Sequence, residues 1–135
     1  MKIAIVGADG KKWGSLGKVS KSNFLIIVAK QLIEKILKDN PGCTLVSGAC
    51  PTGGVDIWAE EVADKLGVPK EIYPPRINKW EGYKERDIKI AKACDKLACI
   101  EPYRRNHSGG MWTMNYASKL GKPVKLFVIK EMLDN

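Results

Sequence analysis

The chain has no long apolar run, no CxxC pair and no GxGxxG fingerprint, and its single histidine is His107. The longest apolar stretch, Phe24–Ala29, falls far short of the roughly 18–20 residues that cross a bilayer, so no membrane partner is expected. The opening MKIAIVG is broken by glycine too soon for a signal peptide and reads as a first strand, which gives a cytoplasmic expectation. Cys43, Cys50, Cys94 and Cys99 are spaced for neither zinc nor a disulfide framework, and no metal site is expected. Cys43, Cys94 and Cys99 sit beside apolar stretches as small buried hydrophobes, leaving Cys50, in a loop, as the thiol to test for reactivity. Without GxGxxG the usual dinucleotide-binding turn is absent.

What is present is a chain of single-domain size, 135 residues with 44% hydrophobic content, enough for one core spanning 1–135. The formal charge is +8, which favours anionic partners such as phosphorylated small molecules or nucleic acid. The basic residues are scattered; only Lys11–Lys12 and Arg104–Arg105 form adjacent pairs, both in expected loops.

Apolar periodicity alternates between strand and helix. Strands are expected at Lys2–Val6, Cys43–Val46, Lys70–Tyr73, Leu97–Ile100 and Val124–Ile129. Helices are expected at Asn23–Lys38, capped by Ser22 or Asn23, and at Val55–Leu66, Glu81–Cys94 and Gly110–Leu120. This order implies an α/β, Rossmann-like doubly wound sheet of about five parallel strands with helices on both faces. Its strand order is not legible in the sequence.

Ligands of such sheets bind beyond the carboxyl ends of the strands, where three glycine-rich loops fall. The first runs from Gly7 through Gly10, with Trp13 able to stack on a base or to cover the sheet edge. The second, Ser47-Gly48 to Gly53-Gly54, opens a helix whose Asp56 can favour the helix dipole or meet a ribose. The third carries Arg104, Arg105, His107 and Ser108-Gly109-Gly110, with Thr113 one turn into its helix. The second and third read as anion nests built from backbone N–H groups. Arg86, near the start of the third helix, can neutralise ligand charge or pair with Glu85 or Asp87. His107 has no carboxylate at a fixed spacing to orient it as a base.

The segments TLVSGACPTGGVDIWAEEVADKLGVP at 44–69, YKERDIKIAKACDKLACIEP at 83–102 and SGGMWTMNYASKLGKPVKLFVI at 108–129 resemble the SLOG superfamily, with IAIVGADG at the start. That superfamily groups the DNA-processing Smf/DprA proteins with the cytokinin-activating lonely-guy proteins; the resemblance is to its stand-alone YspA-like branch. It implies a nucleotide-derived ligand across the glycine loops and a homodimer or higher homo-oligomer. The hydrolase members' PGGxGTxxE motif falls on 108–116, where its second-half glycine is Trp112 and its glutamate is Tyr116. The nucleophilic glutamate of the similar nucleoside deoxyribosyltransferases falls on Thr113. Both family glutamates are missing, which speaks against hydrolysis by these routes and leaves Glu101 or Asp56 as the acids a hydrolase would have to recruit.

The reading that follows is a sensor or carrier holding a phosphorylated, nucleotide-type ligand. Its contacts would be Gly7, Gly10, Trp13, Ser47, Gly48, Gly53, Gly54, Asp56, Arg86, Arg104, Ser108, Gly109, Gly110 and Thr113. No cofactor is expected beyond a magnesium ion arriving with a ligand phosphate. An N-glycosidic-bond hydrolase is the second reading, and single-stranded nucleic-acid binding the third.

Overall fold

The computed structural model describes residues 1–10, 13, 19–102 and 108–129. Arg104, Arg105, His107, Lys11 and Lys12 lie outside them. Among the described residues, five strands alternate with four helices: β1 (Lys2–Gly7), α1 (Val19–Lys38), β2 (Thr44–Ser47), α2 (Val55–Leu66), β3 (Lys70–Ile72), α3 (Trp80–Ala93), β4 (Lys96–Glu101), α4 (Gly109–Lys119) and β5 (Val124–Val128). The strands pair in parallel in the order β3-β2-β1-β4-β5, the Rossmann-like α/β topology.

The central strand explains why this sequence makes a two-faced sheet. Ile3 to Val6 is buried throughout, as a strand covered on both faces must be. Successive side chains point to opposite sides. Ile3 and Ile5 join Leu25, Ala29 and Ile33 of α1 and Ala59 and Ala63 of α2 in one core. Ala4 and Val6 join Ile90 and Ala91 of α3 and Met114 and Ala117 of α4 in the other. Cys43, Cys94 and Cys99 are buried free thiols, as their apolar neighbours suggested. No described helix is long and apolar enough to cross a membrane.

One element departs from expectation at its start. α1 begins at Val19, so Ser22 and Asn23 lie inside the helix instead of capping it. Serine and asparagine cost a helix interior only a few tenths of a kcal/mol relative to average residues, so their cap preference alone does not set a boundary.

The strand order reverses between β1 and β4. The chain first winds outward from β1 to β3, then α3 carries it back to lay β4 against the other side of β1. Two parallel neighbours whose following connections leave in opposite directions open a crevice at their carboxyl ends. That crevice lies beyond Gly7 and Ile100, the last register pair of the β1–β4 ladder.

Candidate functional site

Close backbone packing forms the crevice floor. A methyl group on Gly7 would lie 2.0 Å from the Ile100 carbonyl oxygen, and one on Gly110 would lie 2.7 Å from the Gly7 Cα. Only paired glycines let the start of α4 settle directly on the end of β1. Ser108 caps that helix, its hydroxyl accepting from the Met111 amide at 3.0 Å while donating to the Glu101 carboxyl. Gly109, the next residue, has open space where a side chain would be.

Above this floor is a cleft of about 260 Å³. The end of β1 contributes Gly7, Ala8 and Asp9, and the loop after β2 contributes Cys50 and Thr52. α2 adds Asp56; α3 adds Trp80, Tyr83, Arg86 and Asp87; α4 adds Gly109, Gly110 and Thr113. The volume is near the lower end of the range small-molecule clefts take.

Arg86 is the electrostatic centre of one wall. Its Nε donates to Asp87 Oδ1 at 2.6 Å and its Nη1 to the Gly48 carbonyl at 2.7 Å, with Asp56 Oδ2 3.9 Å away. The guanidinium also lies 5.5 Å from the centre of the Tyr83 ring. All three charged side chains are at least nine-tenths buried. One guanidinium does not compensate two buried carboxylates. Burial pushes Asp56 up to about 7 against the opposing pull of Arg86, with Asp87 and Glu60 adding repulsion and the Cys50 amide a small relief. Burial likewise pushes Asp87 up to about 6, against Arg86 and a hydrogen bond to Thr113. The wall therefore holds groups that change protonation near neutrality, a feature concentrated at functional sites.

The structure brings six of the sequence's candidates into this cleft: Gly7, Asp56, Arg86, Gly109, Gly110 and Thr113. It puts others to different uses. Trp13 is fully buried, its Nε1 donating to the Ala8 carbonyl at 3.2 Å and its ring set edge-on to Trp58 at 5.2 Å, so it is a core residue and not a base platform. Ser47 turns inward and donates to Glu60 at 2.8 Å, which also accepts from the Ala49 amide. Gly48 makes room for Arg86, since a methyl there would stand 2.6 Å from the guanidinium. Gly54, at φ +91°, lies against Ala8 and Asp9, and the Val55 amide donates to the Ala8 carbonyl. Gly10 packs against the Thr52 carbonyl.

The second glycine loop is thus mainly a packing device that ties β1 to α2, and Gly53 joins it at φ +78° without lining the cleft. Gly109 and Gly110, by contrast, line the cleft at the start of α4. Glu101 is buried beneath Ser108 and does not line the cleft either. Arg104 falls outside the described residues.

Asp87 and Trp80 are lining residues that sequence reasoning did not select. A signal for Asp87 was available: Arg86 and Asp87 stand one turn before Ile90 and Ala91, so they share the core-facing side of α3 at the end nearest the strand termini. Among the described residues no cluster of three histidine, cysteine or acidic side chains is arranged to hold a metal ion. No family model matches the chain, and no curated protein matches it either.

Proposed function

We propose that the cleft binds a phosphorylated, nucleotide-type small molecule, with its phosphate at the start of α4, and that the chain works as a sensor or carrier of that ligand. The observation that carries this reading is the Gly109–Gly110 helix start, seated on Gly7 at the point where the strand order reverses and open to the cleft. Helix N-termini present unpaired amides and a partial positive charge, the standard recognition of phosphate by a fold of this type. Arg86 lines the same cleft, its charge shared with Asp87 and Asp56. The resemblance of segments 44–69, 83–102 and 108–129 to the SLOG superfamily points the same way, as does the net charge of +8. A magnesium ion would enter only as part of the ligand, and the homodimer belongs to the same proposal.

A second reading, hydrolysis of an N-glycosidic bond, draws support from Asp56 and Asp87. Two carboxyls facing one cleft, both raised toward neutrality by burial, are groups suited to proton transfer. Asp87 takes the place of Glu101 in this version, since Glu101 is committed to Ser108. Nothing in the described residues adds support for single-stranded nucleic acid.

The test is a thermal-shift panel of nucleoside mono-, di- and triphosphates, ADP-ribose and ribose 5-phosphate, followed by chromatography of each mixture. A ligand at a hundred times its Kd adds about 2.7 kcal/mol and raises Tm by several degrees. A shift with intact ligand supports the sensor; a shift with released base supports the hydrolase. Absence of any shift refutes the cleft as a phosphate site. Light scattering of the eluted protein reads the oligomeric state.

A further inference from the structure

We propose that Trp80 is the specificity-determining platform of the cleft, selecting phosphorylated ligands that carry a planar aromatic ring over phosphosugars and free phosphate. This inference rests on the phosphate-site reading above. Trp80 opens α3 and lines the cleft, yet 51% of it is exposed. A tryptophan left half in water at the mouth of a cleft forgoes much of the apolar burial its size offers.

Its position is held by neighbours and not by the core. Its ring is perpendicular to that of Trp112 at a centroid distance of 5.6 Å, and Trp112 in turn stacks on Tyr116 at 5.4 Å and 15°. Trp112 and Tyr116 are one turn apart on α4, the helix whose first residues form the phosphate position. The stack therefore connects the ring platform to the element that would hold the anion. Among the described residues Tyr83 is the other aromatic side chain lining the cleft, and it already packs with the Arg86 guanidinium, which leaves Trp80 as the more available ring of the two.

The chemistry that fits is a compact molecule with an anion at one end and a π-face at the other, as in a nucleoside monophosphate. Stacking tolerates any base, so Trp80 would discriminate ring from no ring and not purine from pyrimidine.

The experiment compares dissociation constants of AMP, CMP and ribose 5-phosphate for the unaltered chain, Trp80→Phe and Trp80→Ala, with circular dichroism melting to confirm that each variant folds. The unaltered chain is expected to prefer both nucleotides over ribose 5-phosphate by about ten- to a hundredfold. In Trp80→Ala that ratio should fall close to one, and Trp80→Phe should restore most of it. Equal binding of all three ligands by the unaltered chain, or a ratio that survives Trp80→Ala, overturns the platform and leaves the phosphate site standing. Failure of all three to bind the unaltered chain overturns the phosphate site and the platform together.

Discussion

Replacing Asp56 by asparagine should make the protein more stable as the pH rises, relative to the unaltered chain. The carboxyl lies in the α2 wall of the cleft, 3.9 Å from Arg86, with burial outweighing that attraction and raising its pKa from 3.8 to about 7. Between those values the folded chain holds a proton that the unfolded chain has released. Stability contributed by the neutral carboxyl is therefore lost as pH climbs through the window and is level above about 7. At about 1.4 kcal/mol per pKa unit, the full cost of carrying the charge in the folded state is about 4 kcal/mol. Some of this is already felt at pH 5, so the part gained between pH 5 and pH 8 is about 2–3 kcal/mol.

Asparagine keeps the shape and can still accept from the Cys50 amide, but it never ionises. The difference in Tm between Asp56→Asn and the unaltered chain should thus widen by about 9 °C from pH 5 to pH 8 in favour of the variant, for a domain of this size. Taking the difference removes the titration of groups remote from Asp56, including the general repulsion of a chain at +8. Parallel melting curves would refute the raised pKa. A gap widening in the opposite direction would mean that the pairing with Arg86 outweighs burial.

Gly110→Ala should cost about 2–3 kcal/mol in denaturant unfolding and abolish ligand shifts, because its methyl group would meet the Gly7 backbone at 2.7 Å. Gly109→Ala, with open space at that position, should leave the unfolding midpoint within about 0.5 kcal/mol of the original. Trp13→Ala should cost about 3–5 kcal/mol, and the protein that remains folded should keep its ligand affinity, since the ring is core. A large loss of affinity with stability unchanged would return Trp13 to the site. Under native conditions a thiol reagent followed by mass spectrometry should label Cys50 fastest, with Cys43, Cys94 and Cys99 protected until unfolding.

Much of the architecture was legible because its causes are local. The strand runs at Lys2–Val6 and Leu97–Ile100 are short continuous apolar segments and the helical stripes of α2 and α3 have a period of 3.6, each within a single segment, and they place the carboxyl edge of the sheet without any knowledge of contacts. The same periodicity contained Asp87, one turn before Ile90 and Ala91, although its charge directed attention to solvent. The start of α1 was less legible, since cap-forming residues are also tolerated within helices.

The candidate site divides along the same line. Residue chemistry marked the helix start at Gly109–Gly110 as a candidate anion nest, but it marked Gly53–Gly54 in the same way, and only the fold separates the pair that lines the cleft from the pair that packs. What the other candidates do depends on partners far away in the chain. Ser47 looks the same in sequence whether it faces a ligand or Glu60, and Gly48 serves a guanidinium 38 residues later. Trp13, flanked by lysine and glycine, finds Trp58 only when α2 folds onto β1. Composition and periodicity therefore settled that this chain makes a parallel α/β sheet with glycine loops along one edge. Tertiary contacts decided which loop residues line the cleft, that Arg86 reaches Asp56 and the Gly48 carbonyl as well as its neighbour Asp87, and that Trp80 lines the cleft half exposed, because long-range packing assigns these groups partners far away in the chain.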